Sequence, residues 1–237
     1  MSSINFNNGI YDFKTNTFNK YSQDSLEPSI SVGYDYVEYT GDEPIFNEIN
    51  EYFKKLLHNE QERNKVLQFL SNRIKGIEDN KFNIIYGPAS NGKSVFTCLV
   101  HKLFGDYYKV IDMSDEEINL KPYCDKRIIV FSNFDTFITM PKIKPFNELE
   151  CLTTKNCPNP KYQLLIVCNI LPEIFDDIKD DFNCRVNIFN FNTTFIKKEQ
   201  GYYITSNNIE YADFSYEQKI INNEWNAALM WMLIHKY

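Results

Sequence analysis

The sequence predicts an α/β fold: a five-stranded, mostly parallel sheet covered by helices, with a small N-terminal hairpin and a helical segment ahead of it. Three observations carry that expectation. The apolar run Asn83-Ile84-Ile85-Tyr86 leads straight into Gly87-Pro88-Ala89-Ser90-Asn91-Gly92-Lys93-Ser94, a Gly-x-x-x-x-Gly-Lys-Ser phosphate loop that opens a helix. Downstream, short apolar runs alternate with helical stretches, the order that produces a parallel sheet. Those runs are nearly continuous, as strands buried on both faces are.

Taken in order, residues 10–14 and 17–21 flank the turn Thr15-Asn16 and read as a hairpin, with Asn7-Asn8-Gly9 as a turn before it. A polar linker follows to about Glu43. From Pro44, Ile45, Ile49, Phe53 and Leu56 recur at helical spacing, and Val66, Phe69, Leu70, Ile74 and Ile77 repeat the pattern in a second helix. After the loop come a helix over 93–104, a strand over 107–111, a short acidic helix near 114–118 and a strand over 127–131. A weakly helical stretch over 146–152, a strand over 162–168, a short helix and a strand over 185–191 complete the sheet. The tail, 224–237, carries Trp225, Leu229, Met232 and Leu233 along one face, a core-packing pattern. The chain therefore divides into an N-terminal hairpin and helical region (1–77), a phosphate-loop core (78–195) and a C-terminal helical extension (196–237).

Composition sets bounds. With 237 residues, 43% hydrophobic and 16% aromatic, the chain can bury a substantial core, and no apolar run approaches the eighteen or so residues that cross a bilayer. No signal peptide is visible, so an intracellular protein with no membrane partner is expected. A net charge of -7 argues against coating nucleic acid with the whole surface, while leaving room for a local basic channel. The six cysteines lack a C-x-x-C pair and read as reduced thiols; three scattered histidines make a zinc site a poor reading.

The loop carries the chemistry. Glycines at both ends let the backbone wrap a polyphosphate, amides and the helix N-terminus supply partial positive charge, Lys93 adds a full one, and Ser94 is placed to hold magnesium. ATP and Mg2+ are the expected ligands. Cleaving ATP also requires an acid at a neighbouring strand end. Asp135, just past 127–131, is the candidate second magnesium ligand, with a capping or turn aspartate as the lesser alternative. Asn169, at the end of 162–168, can touch a terminal phosphate or attacking water, or simply make a turn. Arg185, one of four arginines, can stabilise transition-state charge in a neighbouring subunit's site or make a surface ion pair.

Together these residues resemble the viral superfamily 3 helicases, an AAA+ group, and specifically the poxvirus-type primase-helicases. The similarity runs over nearly the whole chain: 6–13, the Asn-Gly-Lys-Ser ending of the loop, Lys126-Arg127, Cys168-Asn169-Ile170-Leu171-Pro172, Arg185 with Phe191, and 225–237. It implies a P-loop NTPase of AAA+ type and an ATP-dependent helicase or translocase. It further implies a ring, a hexamer by analogy, on single-stranded DNA, working with a primase and other replication proteins in the host cytoplasm or nucleus if viral. By the same resemblance Lys93 and Ser94 match the phosphate and magnesium ligands, Asn169 the sensor asparagine, and Arg185 one of a pair of arginines.

Three positions depart from the pattern. Asn133 stands where relatives show an acid, leaving only Asp135. The stretch 152–162 is short for the DNA-gripping hairpin, with Lys155 and Lys161 as its candidates and Lys142 and Lys144 upstream. Cys184 replaces the second arginine of the pair. These departures keep a second reading open, a nucleotide-binding structural or regulatory subunit with weak or no hydrolysis. A small-molecule P-loop kinase is a third. The family's primase region and final tail have no counterpart in these residues, so a fragment of a longer protein or a reduced paralogue both remain open.

Overall fold

The computed structural model describes residues 3–22, 28–77, 81–112, 120–132, 137–138, 162–171, 173–174, 186–198 and 208–237. The chain begins with an antiparallel meander, β1 (Ser3–Phe6), β2 (Gly9–Asp12) and β3 (Thr17–Lys20). The expected hairpin is β2–β3, its loop turned by Asn16 at φ 53°, a conformation that asparagine tolerates; β1 is the strand the sequence reading leaves out. Period-two alternation turns Ile4, Phe6 and Tyr11 inward, where they join the main core. The Asn5 amide donates to the Tyr107 hydroxyl at 3.1 Å, tying the meander to the sheet's amino edge.

Helix α1 (Pro44–Leu56) starts at a proline that needs no amide partner there. The preceding Glu43 carboxylate accepts from the Thr40 amide and hydroxyl and from the Gly41 amide, which pulls its pKa down to about 2. Helix α2 (Glu60–Lys75) is capped by Asn59 and stops at Gly76, φ 65°, so Ile77, which the periodicity places in the helix, lies beyond it and is exposed.

Strand β4 (Phe82–Tyr86), helix α3 (Lys93–Phe104), β5 (Tyr108–Asp112) and β6 (Ile128–Ser132) follow. Next come β7 (Phe137–Ile138), β8 (Gln163–Cys168), β9 (Glu173–Ile174) and β10 (Val186–Asn190). The main sheet has five strands in the order β10-β4-β8-β6-β5, and each pairing is parallel. Two minor parallel pairs accompany it, β7 with β9 and β11 (Thr194–Ile196) with β12 (Ile209–Tyr211). The sequence reading does not anticipate the β11–β12 pair, because three-residue strands carry almost no periodicity. Helices α4 (Phe214–Ile221) and α5 (Asn226–His235) close the chain.

The strands bury both faces, as continuous apolar runs should. Ile85, Ile128, Val130, Leu165 and Phe189 face one cluster, with residues of all five helices. Ile84, Ile129, Phe131, Leu164 and Ile166 face the other, where among the described residues Leu120, Tyr123 and Tyr162 provide the cover. Inside the sheet the Asn83 amide donates to Gln163 Oε1 at 3.1 Å and to the Leu164 carbonyl at 3.3 Å. Its oxygen accepts from Asn187 Nδ2 at 3.2 Å. The tail differs from its expected one-faced pattern: α5 is buried all round, from Ala228 through Ile234, because it packs against α1, α2 and α3 together. Cysteine usage differs too, with Cys124 disulfide-bonded and Cys98 and Cys168 free. Among the described residues no helix is long and apolar enough to cross a membrane.

Leu229, fully buried on α5, anchors this helix packing. Replacing it with alanine is expected to lower unfolding free energy by about 2–5 kcal/mol, read as an earlier urea midpoint with an unchanged slope.

Candidate functional site

The residues of the phosphate loop gather at the carboxyl edge of the sheet, between the end of β4 and the start of α3. Gly87 and Gly92 are there for space and conformation. A Cβ on Gly87 would collide with the Asn91 amide and the Phe191 carbonyl. Gly92 sits at φ 82° with Leu56 Cδ1 2.7 Å from where its Cβ would be. Ser90 takes a positive φ of 57° without being glycine, which costs about 1 kcal/mol or more and is held in place by its carbonyl accepting the Phe195 amide at 2.7 Å. Pro88, Ala89 and Ser90 are exposed, as is Ser94 on the first turn of α3, so the outer rim of the loop is open to a ligand.

Lys93 is the first residue of α3 and only 8% exposed. Its ammonium donates three hydrogen bonds, to the Gly87 carbonyl (2.6 Å), the Pro88 carbonyl (2.7 Å) and Asn91 Oδ1 (2.8 Å). Burial lowers its pKa from the ordinary lysine range, and the neighbouring Cys168 works the other way. Cys168 shows the same environment from the opposite side: burial pushes its thiol up to about 11, against the pull of the Lys93 charge. Asn91 is the loop's internal brace. Its Nδ2 donates to the Phe191 carbonyl at 2.7 Å while its oxygen receives Lys93, so a single buried amide joins the loop to the chain leaving β10.

Sheet register brings a second expected residue to the site. Cys168 pairs with Tyr86, so Asn169 follows β8 level with Gly87 and is exposed at the same edge. Strand β6 ends one strand further out, Phe131 pairing with Ile166. Strand β10 runs parallel to β4 and starts opposite Phe82, roughly 16 Å from the phosphate-loop edge at the rise of a strand. Asn133, Asp135, Lys142, Lys144, Lys155, Lys161, Cys184 and Arg185 lie outside the described residues.

Sequence reasoning treats Asn91 as one member of the loop and misses both its bridging role and the closeness of Cys168 to Lys93. Both depend on β10 and β8 flanking β4, which no local pattern reports. Asn91→Ala leaves the Phe191 carbonyl and the Lys93 ammonium short of a partner each. The expected result is a loss of about 1–3 kcal/mol in chemical denaturation, with far-UV circular dichroism unchanged.

No family model matches the chain. Among curated proteins it is similar to "Putative helicase L207/L206" of Acanthamoeba polyphaga mimivirus, 26% identical over 258 aligned positions, which covers 98% of this chain and 26% of that protein. Among solved structures, an apo structure of the NrS-1 C-terminal region (305-718) matches 89% of this chain with a TM-score of 0.56 and 18% identity. A second, the A form apo structure of the same region, matches 87% with a TM-score of 0.55 and 17% identity. The chain spans about a quarter of the length of the mimivirus protein and about half of each of these two structures. The α/β architecture is thus shared with the NrS-1 C-terminal region, and the amino-acid sequence is related to a protein that carries a helicase name.

Proposed function

We propose that this chain is the ATP-driven motor module of a replication helicase, of the superfamily 3, AAA+ type. The observation that carries the reading is the phosphate loop at the carboxyl edge of a parallel sheet, with Lys93 held behind it and Asn169 level with it on the adjacent strand. The residues fit a magnesium triphosphate. A helix of 12 residues points its N-terminus at the open rim, the Ser94 hydroxyl is exposed, and the Lys93 ammonium can exchange loop carbonyls for phosphate oxygens. In this reading Lys93 neutralises the β and γ phosphates, Ser94 and Asp135 hold magnesium, and Asn169 orients the attacking water or senses the γ phosphate. Arg185 acts in the site of a neighbouring subunit. The assembly is a ring, a hexamer by analogy, moving on single-stranded DNA, with Lys155 and Lys161 as DNA contacts. The likeness to a mimivirus protein with a helicase name supports the choice of motor over metabolite kinase.

Asn133, where an acid is expected, favours a second reading: a subunit that binds nucleotide and turns it over poorly. ATPase assays with and without single-stranded DNA, alongside solution mass, separate the two. A motor shows DNA-stimulated turnover from an oligomer. A weakened engine shows little turnover until Asn133→Glu restores it.

For the site itself, Lys93→Ala is expected to lower ATP turnover by about a hundredfold or more while circular dichroism stays native. Unchanged turnover in that variant would remove the phosphate loop from the reaction.

A further inference from the structure

The five-stranded sheet ends in two different edges. At one edge β5 carries Lys109 and Asp112, charges of the kind that keep an edge strand from pairing with another chain. At the other edge β10 reads Val-Asn-Ile-Phe-Asn and carries neither a charge nor a proline. Its backbone groups alternate in direction. The Phe191 amide, one residue past the strand, donates to the Tyr86 carbonyl of β4 at 2.8 Å, whereas the Asn190 amide donates away from β4, to Glu62 Oε2 of α2 at 3.3 Å. The amides and carbonyls of Val186 and Ile188, in step with Asn190, therefore point outward, and among the described residues no strand pairs with them.

Beside this edge lies a hollow of about 350 Å³ between β10 and α2. Phe69 and Phe189, ring centroids 5.3 Å apart, close it on the core side. Its lining includes two cations, Lys65 and Arg73, and no carboxylate, a local departure on a chain of net charge -7. The Lys65 side chain is 59% exposed, while Arg73 is buried with its guanidinium 5.7 Å from the Phe69 ring centre. At the carboxyl end of the strand a carboxylate is already in place. Glu62 takes the Asn190 amide with one oxygen and the Lys65 ammonium, at 2.7 Å, with the other. This edge of the sheet thus accepts an acid, and Val186 and Ile188 continue it.

We propose that the groove between α2 and the β10 edge docks an extended acidic segment of a partner protein, added to the sheet as a further strand. Side chains of an added strand alternate. Those on the Phe189 side meet Lys65, Gln68 and Asn72 of α2, and those on the other side lie next to Ile188, which is 37% exposed. The segment is accordingly acidic at every second residue and apolar in between. Main-chain bonds to Val186 and Ile188 supply affinity, and the alternating side chains supply specificity. The inference does not rest on the nucleotide reading, because no residue of the phosphate loop lines the groove.

The experiment is fluorescence anisotropy with a labelled peptide of alternating aspartate and valine, on the wild-type chain, Ile188→Pro and Lys65→Glu. Two control peptides accompany it, one alternating lysine and valine, the other the aspartate peptide with a central proline. Wild type is expected to bind the aspartate peptide saturably and each control about tenfold more weakly or worse. Ile188→Pro removes an outward amide and none of the bonds to β4, and weakens binding about tenfold. Lys65→Glu, at an exposed position, weakens the aspartate peptide about tenfold and favours the lysine peptide. If circular dichroism shows that Ile188→Pro has not folded, Lys65→Glu decides alone. Wild-type protein that binds no peptide, binds all three equally, or is matched by both variants overturns the proposal. A concentration-dependent dimer in sedimentation that Ile188→Pro dissolves assigns the edge to a second copy of this chain and overturns it too.

Discussion

The register of β4 between β8 and β10 is the constraint on which the site depends, and a buried amide sets it. Asn83 is fully buried and makes bonds to both neighbours, to Gln163 and the Leu164 carbonyl on one side and to Asn187 on the other. A one-residue slip of either neighbour would strand these groups and would also turn that neighbour's own side chains, Leu165 of β8 or Phe189 of β10 among them, to the wrong face. With the amino half of the sheet pinned, the carboxyl half has no freedom. Cys168 must lie beside Tyr86, Asn169 must emerge level with Gly87, and Phe191 must arrive where Asn91 can reach its carbonyl. Polar groups in a sheet core thus define positions several residues away at its edge.

The loop satisfies the charge of its own lysine. An ammonium has three donors, and Lys93 places all three on loop acceptors. In the proposed nucleotide-binding role, that arrangement would make polyphosphate binding an exchange of acceptors rather than a new burial of charge. Lys93 is desolvated within the fold itself, and anionic oxygens are better partners for an ammonium than the carbonyls they would replace. Asn91 adds a brace that does not involve the lysine, its Nδ2 donating to the Phe191 carbonyl.

Much of this was legible along the chain. Continuous apolar runs at Ile128 to Phe131 and at Leu164 to Val167 announced strands buried on both faces, and the two clusters sandwich them. The glycine-rich loop announced a strand before it and a helix after it, and β4 and α3 flank it as expected. Boundaries failed where a cap overrides periodicity, as at Gly76, which stops α2 before Ile77. Faces failed at α5, where one-sided periodicity was expected and the helix is enclosed on every side. A helix that is apolar nearly all round reports burial, but not how many neighbours supply it.

The sequence by itself determined the elements, the parallel alternation and the phosphate loop, because each of these follows from short-range chemistry: side-chain period, glycine spacing and helix starts. Tertiary structure alone decided which strand lies beside which, and hence that Asn169 and Phe191 flank the loop. It alone brought Lys65 and Phe69 beside Val186 and Phe189, residues drawn from distant parts of the chain, around a single groove. The physical reason is that such meetings are set by long-range packing and register, in which residues more than a hundred positions apart touch. No window of neighbouring residues encodes that distance.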